Sequence, residues 1–207
     1  LWTRMYRTTR WYGRKGVAMS ALGGLDTAFW DLRGKAMGKP IWQLLGGERT
    51  TCAAYASALL WKEIPALARE AEGHIAKGFR RVKLRMARSE EYDMGAVLAV
   101  RKAIGAGNDL LVDASMRYNL PLAERMGRFL ADQGIFWFEE PFQPEDLDSY
   151  AALRASVGPR SGAARTVRIA AGENEFGAQG FAELIRAGAV DIVQPDASRC
   201  GGISEVY

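Results

Sequence analysis

Cysteine is scarce in this sequence: Cys52 and Cys200 are the only two among 207 residues, far apart and in no Cys-x-x-Cys pair. That argues against a disulfide framework or a thiolate zinc site. Apolar runs are short, and none nears the roughly 18 residues of a membrane helix, so no membrane partner is expected. No apolar leader opens the sequence, which makes a reducing cytoplasm the expected compartment. Histidine is scarcer still: His74 is the only one. It falls in a helix-patterned segment, where a surface position is the plain expectation.

Acidic charge is thin at one end. Residues 1–49 hold nine Lys/Arg against three Asp/Glu, a balance of +6, while residues 50–207 hold 19 against 21, or −2; together they make the net +4. Arg4, Arg7, Arg10 and Arg14 recur at helical spacing with Trp2, Tyr6, Trp11 and Tyr12 between them. Such interleaving can serve nucleic acid, but no nucleic-acid motif accompanies it. A solvated helix face is the simpler reading, and no nucleic-acid partner is expected. At 48% hydrophobic and 25% charged residues, the composition is that of an ordinary globular enzyme.

What the chain has is a repeated phrase, an apolar run closing on an acid. Asp109–Asp113 ends in Asp113, and Ile135–Glu140 ends in Glu139, Glu140 and then Pro141. Val167–Glu173 ends in Glu173, and Val190–Asp196 ends in Asp196. Proline cannot continue a central strand, so the carboxylates belong at strand tips. Between these runs lie amphipathic segments. Helical patterns cover 17–32 (ending near Arg33-Gly34), 40–45, 63–77, 90–104, 120–133, 145–157 and 178–187. Strand-like stretches cover 51–60, 80–85, 109–113, 135–139, 167–172 and 190–194. Strand alternating with helix argues for parallel βαβ units. Acids at successive strand ends favour a (β/α) barrel, where such groups converge on one face. Three carboxylates at one site need a cation among them, and an all-oxygen set suits Mg²⁺. Adjacent strand residues face opposite ways, so spacing leaves Glu139 and Glu140 equally eligible. Lys83 and Arg85, two apart on one strand, point to the same side. Guanidinium stays protonated, which makes Arg85 a poor base.

Several fragments resemble the mandelate racemase/muconate-lactonizing branch of the enolase superfamily. They are Ala28-Phe29-Trp30-Asp31-Leu32-Arg33-Gly34-Lys35, Gln43-Leu44-Leu45-Gly46-Gly47, Val82-Lys83-Leu84-Arg85, Val112-Asp113-Ala114, Phe138-Glu139-Glu140-Pro141, Ala171-Gly172-Glu173-Asn174 and Gln194-Pro195-Asp196. The acids are 26, 34 and 23 residues apart, about one βα unit each. The resemblance implies an α/β fold: a partial (β/α)7β TIM-like barrel of about six strands over residues 49–207. Residues 1–48 would be the helical tail of an N-terminal capping domain. It also implies a piece of a longer protein, which is expected to be a homo-oligomer when full-length.

By the same resemblance, Asp113, Glu139 and Glu173 are the metal ligands, Mg²⁺ is the cofactor, and Glu140 lies behind the ligands. Enolase-superfamily enzymes use a Lys or His base with Mg²⁺ to form an enediolate from a carboxylate substrate. Here the substrate would be a small carboxylate, an acid sugar, and the expected reaction dehydration, with racemisation, epimerisation or cycloisomerisation, or a catalytically inactive homologue, as the alternatives. Lys83, Arg85 and Asp196 take the catalytic positions. Arg85 stands where the family's second base is a lysine, and Asp196 stands where the family orients a histidine one βα unit further on. Lys83 is also expected to bind the substrate carboxylate. Ser115 and Asn174 are candidate substrate contacts, and Gly201-Gly202 could cradle an anion at a helix start.

Overall fold

The computed structural model describes residues 1–207 and divides them into two compact units. One comprises Ala53–Ala171 and Ala187–Ile192; the other comprises Leu1–Cys52, Gly172–Arg186 and Val193–Tyr207.

The strands are β1 (Ala56–Leu59), β2 (Arg81–Arg85), β3 (Asp109–Asp113), β4 (Trp137–Glu139), β5 (Arg168–Ala171) and β6 (Ile192–Val193). They form one sheet in the order β1-β2-β3-β4-β5-β6, with each neighbouring pair from β1 to β5 parallel. This is the α/β barrel architecture expected from the alternation. Several strands are shorter than expected: β1 starts at Ala56 rather than Thr51, β4 at Trp137 rather than Ile135, and β6 is two residues long.

The period of two separates the strand residues by face. Val82, Leu84, Leu110, Val112 and Phe138 point one way, and each is fully buried. Burial of each such side chain is worth about 1.5–3 kcal/mol, so this face anchors the sheet. Lys83, Arg85, Leu111, Asp113, Trp137 and Glu139 point the other way. Register then sets Arg85 opposite Asp113, and Asp113 opposite Glu139, in one row. The backbone ladder runs on past the strand tips: Met86 N donates to Asp113 O at 2.8 Å, Ala114 N to Glu139 O at 2.9 Å, and Glu140 N to Ala170 O at 3.0 Å. The row is therefore held on a continuous hydrogen-bonded lattice.

The helices between strands begin where their caps dictate. Ser89 Oγ accepts from Tyr92 N at the start of α5 (Glu90–Ile104). Asn119 accepts from Leu122 N at the start of α6 (Leu120–Asp132), which also carries Pro121 in its first turn. The other two are α4 (Ile64–Ala76) and α7 (Leu147–Val157), the latter capped by Asp146.

In the second unit, α1 (Trp2–Thr9), α2 (Val17–Met37), α3 (Ile41–Leu44), α8 (Gly177–Arg186) and α9 (Ile203–Val206) pack together. Helix α2 does not stop near Arg33-Gly34 as the sequence suggested. Gly34 is an interior residue; a Cβ there would sit 2.8 Å from Lys39 O, so glycine permits a close approach. The true stop is Gly38, in the left-handed conformation. Asp26 of α2, 4% exposed, receives Ser204 N at 2.8 Å and Ser204 Oγ at 2.7 Å at the start of α9. The Gly201-Gly202 segment thus meets an anion of the chain's own. At Gly202, with φ 109°, a Cβ would come within 2.5 Å of Asp26 Oδ2.

Candidate active site

The tips of β2, β3 and β4 carry a buried charge cluster. Lys83, 9% exposed, places Nζ 2.6 Å from Glu139 Oε1 and 3.5 Å from Asp113 Oδ2. Arg85 reaches Asp113 Oδ2 at 3.2 Å and donates to Ser115 Oγ. Burial alone would depress the Lys83 ammonium. Attraction and hydrogen bonding to Glu139, aided by Asp113, outweigh it and hold its pKa above the ordinary lysine value. Lys83 therefore stays a cation.

Asp113 is tied on one oxygen and not on the other. Residues Ser115 and Met116 both have positive φ, 50° and 62°, which turns the chain back on the strand tip. Ser115 N and Oγ then donate to Asp113 Oδ1 at 2.8 and 3.1 Å. Asp113 Oδ2 is buried and accepts no hydrogen bond; only the cationic groups of Lys83 and Arg85 face it. A buried carboxylate oxygen without a hydrogen bond, next to a second carboxylate, is a donor set that fits a hard divalent cation.

Glu139 and Glu140 have different surroundings. Glu139 faces Lys83 and is fully buried. Glu140, 2% exposed, has φ 39°, a conformation that costs a non-glycine residue about 1–3 kcal/mol. Its carbonyl accepts from Met116 N at 2.6 Å, knotting the loops after β3 and β4. Its charge bears on Tyr150, whose phenol is pushed up by burial first and Glu140 second.

Two aromatic residues at this site were not singled out in the sequence. Trp137 Nε1 donates to Glu139 Oε2 at 2.9 Å. Tyr55 meets Trp137 edge to face at 5.4 Å, and Lys83 Nζ lies 5.6 Å over the Tyr55 ring. Strand periodicity would have put Trp137 on the side of Glu139; its apolar neighbours made it read as core.

The remaining candidates belong to the other unit. Glu173 is exposed, in the turn after β5. Asn174 Oδ1 accepts from Arg199 NH1 at 2.7 Å. Asp196 Oδ1 accepts from Ser198 N at 2.8 Å and Ser198 Oγ at 2.6 Å, closing its own turn. These hydrogen bonds lower its pKa below the usual carboxylate value. No group of three or more His, Cys, Asp or Glu side chains is gathered as a metal cluster; the structure brings together two of the three expected ligands, Asp113 and Glu139. His74 is half-buried against Phe79, and its buried Nδ1 has no hydrogen-bond partner, so it is not the surface residue expected. Neither cysteine is in a disulfide, and no helix is long and apolar enough to cross a membrane.

Parallel strands deliver opposed charges to their C-terminal tips, the end at which enzymes of the (β/α) barrel fold carry their active sites. The family follows from comparison. Residues 66–207 match the enolase C-terminal domain-like family, and residues 1–46 match the mandelate racemase/muconate lactonizing enzyme N-terminal domain. The chain belongs to the mandelate racemase/muconate lactonizing branch of the enolase superfamily. D-galactarolactone cycloisomerase of Agrobacterium fabrum is 37% identical over 100% of the chain and 54% of its own length. Arabinonate dehydratase of Saccharolobus solfataricus is also 37% identical, over the same shares of 100% and 54%. The crystal structure of L-talarate dehydratase from Polaromonas sp. JS666, complexed with Mg and L-glucarate, superposes with a TM-score of 0.88 at 32% identity, over 99% of this chain and 56% of that one. Magnesium is bound in other solved structures of similar fold. The chain spans about half the length of the curated relatives it matches.

Proposed function

We propose that the protein of which this chain forms part abstracts the α-proton of an acid-sugar carboxylate with the help of Mg²⁺, most readily as a dehydratase. The observation that carries this reading is the row at the strand tips, where buried Lys83 faces buried Asp113 and Glu139 and half-buried Arg85 faces Asp113. Such charges are costly to bury and are not needed to hold a sheet whose other face is wholly apolar. Asp113 and Glu139 would hold the metal, with Glu173, after β5, the third ligand by family position. When bound, the ion supplies positive charge at the substrate carboxylate.

The chain's own groups do the rest. Lys83 binds the carboxylate and stabilises charge that develops as the proton leaves. Arg85 is a fixed cation rather than a base, and Ser115 keeps it and Asp113 in register. Asp196 is the partner of a base outside residues 1–207, and Asn174 contacts the substrate. A second reading, cycloisomerisation, is favoured by the D-galactarolactone cycloisomerase likeness, equal in identity to the dehydratase one.

The test uses the intact protein against a panel of aldonates, aldarates and their lactones, following solvent deuterium at the α-carbon and the product formed. Glu139→Gln is expected to lose both Mg²⁺ binding and turnover, and Glu140→Gln to do less harm. Equal, mild effects of the two changes would overturn the ligand assignment. A 2-keto-3-deoxy product supports dehydration, and an opened or migrated lactone supports cycloisomerisation.

A further inference from the structure

Two unlike donors meet the two oxygens of the Glu139 carboxylate. Lys83 Nζ meets Oε1 at 2.6 Å, and Trp137 Nε1 meets Oε2 at 2.9 Å. Lysine is a long, flexible stem carrying a point charge. The indole is the opposite: a rigid ring with one N–H, which donates and cannot accept or ligate. The ring is also wedged, edge to face with Tyr55 at 5.4 Å and tilted against Phe136 at 5.8 Å. Of these two donors, the indole is the one whose position is fixed by ring packing, so it sets how the carboxylate is rotated. It leaves Oε1 on the side of Lys83 and Asp113 Oδ2, and keeps Oε2 engaged elsewhere.

We propose that Trp137 is a positioning residue that makes Glu139 a one-oxygen ligand and thereby selects Mg²⁺ over Ca²⁺. The physical basis is the way the two ions take carboxylates. Mg²⁺ demands near-octahedral geometry at short distance, which single oxygens satisfy. Ca²⁺ is larger, tolerates irregular geometry and readily takes a carboxylate through both oxygens. An indole N–H on Oε2 competes with the two-oxygen mode by withdrawing charge from that oxygen and holding its orientation. The proposal rests on Glu139 being a metal ligand.

Titration calorimetry of the intact protein with Mg²⁺ and with Ca²⁺, without substrate, tests it. Trp137→Phe keeps an aromatic ring and removes the N–H. It is expected to weaken Mg²⁺ binding about tenfold, the usual effect of losing a group that orients a metal ligand, while Ca²⁺ binding holds or tightens. The Mg²⁺/Ca²⁺ preference therefore falls by about tenfold or more. A loosened fold would weaken both ions alike, so an unchanged preference overturns the role given to Trp137. Glu139→Gln separates the two readings: if it binds Mg²⁺ like the unaltered protein, the ligand assignment itself fails. The unaltered protein gives a second readout. Its Trp137 indole N–H resonance, identified by its absence in Trp137→Phe, is expected to stay hydrogen-bonded as Mg²⁺ is added. Its shift to the free position would also overturn the proposal.

Discussion

Asp93 and Asp113 are both 1% exposed, and the chain treats them differently. Asp93, in the first turn of α5, accepts from Ala87 N at 2.8 Å, Arg88 N at 3.3 Å and Tyr118 Oη at 2.5 Å. All its partners are neutral, and two belong to the backbone. They fix the loop after β2, where Ala87 takes φ 64°, to the loop after β3. Asp113 has backbone and hydroxyl donors on Oδ1 only; Oδ2 faces nothing but side-chain cations. The first carboxylate is finished by its own loops. The second has one oxygen met by side-chain cations rather than by hydrogen bonds. Burial alone does not separate the two acids; the kind of partner does.

The comparison breaks most readily at Lys83. Lys83→Met removes the cation between two buried carboxylates and is expected to cost about 3–5 kcal/mol, read from denaturant unfolding of the intact protein. If Asp113 and Glu139 are metal ligands, added Mg²⁺ should recover part of that loss. No such recovery is expected in any Asp93 variant.

Asp93 supplies a smaller, pH-dependent effect. Burial raises its pKa above the ordinary carboxylate value, against the lowering effect of its three hydrogen bonds. A carboxyl that is harder to ionise when folded binds its proton more tightly in the native state. Its contribution to stability is therefore fully present below the unfolded value of about 3.9. It is lost as pH rises through the higher native value. Relative to Asp93→Asn, the unaltered protein should lose stability over that window and change little above it. Urea unfolding at a series of pH values measures the difference, and the opposite slope would contradict the assignment. The smallest expected effect is that of Tyr118→Phe. It removes one donor to Asp93 and should cost about 1–2 kcal/mol without altering Mg²⁺ affinity.

Much of the architecture was legible because local rules agreed. Ser89 and Asn119 are good caps, and the helices after them begin where the sequence indicated. Strand β3 spans Asp109–Asp113 as read, since an apolar run bounded by acids has few alternatives. Gly34 misled because a glycine that ends a helix and one that lets backbone approach look alike in sequence. Only the neighbour, Lys39 O, tells them apart. At the site, alternation put Lys83 and Arg85 on one side of β2, and both side chains do reach Asp113. Trp137 and Asp93 were missed for one reason. Each carries a hydrogen bond inside what reads as an ordinary apolar run or helix face, and no periodicity reports a hydrogen bond.

The cap that Asp26 provides for α9 joins residues 178 positions apart in sequence. Trp2 Nε1 to Gly201 O, at 2.6 Å, spans still more, 199 positions. On the ribosome such contacts cannot form early. At about 5–20 residues per second, Asp26 waits roughly 10–35 s for Ser204 to be made. Through that interval a helix with Leu25, Phe29 and Leu32 exposed even in the finished structure also lacks its α9 partner. Helix α2 is therefore made long before the segment that completes it.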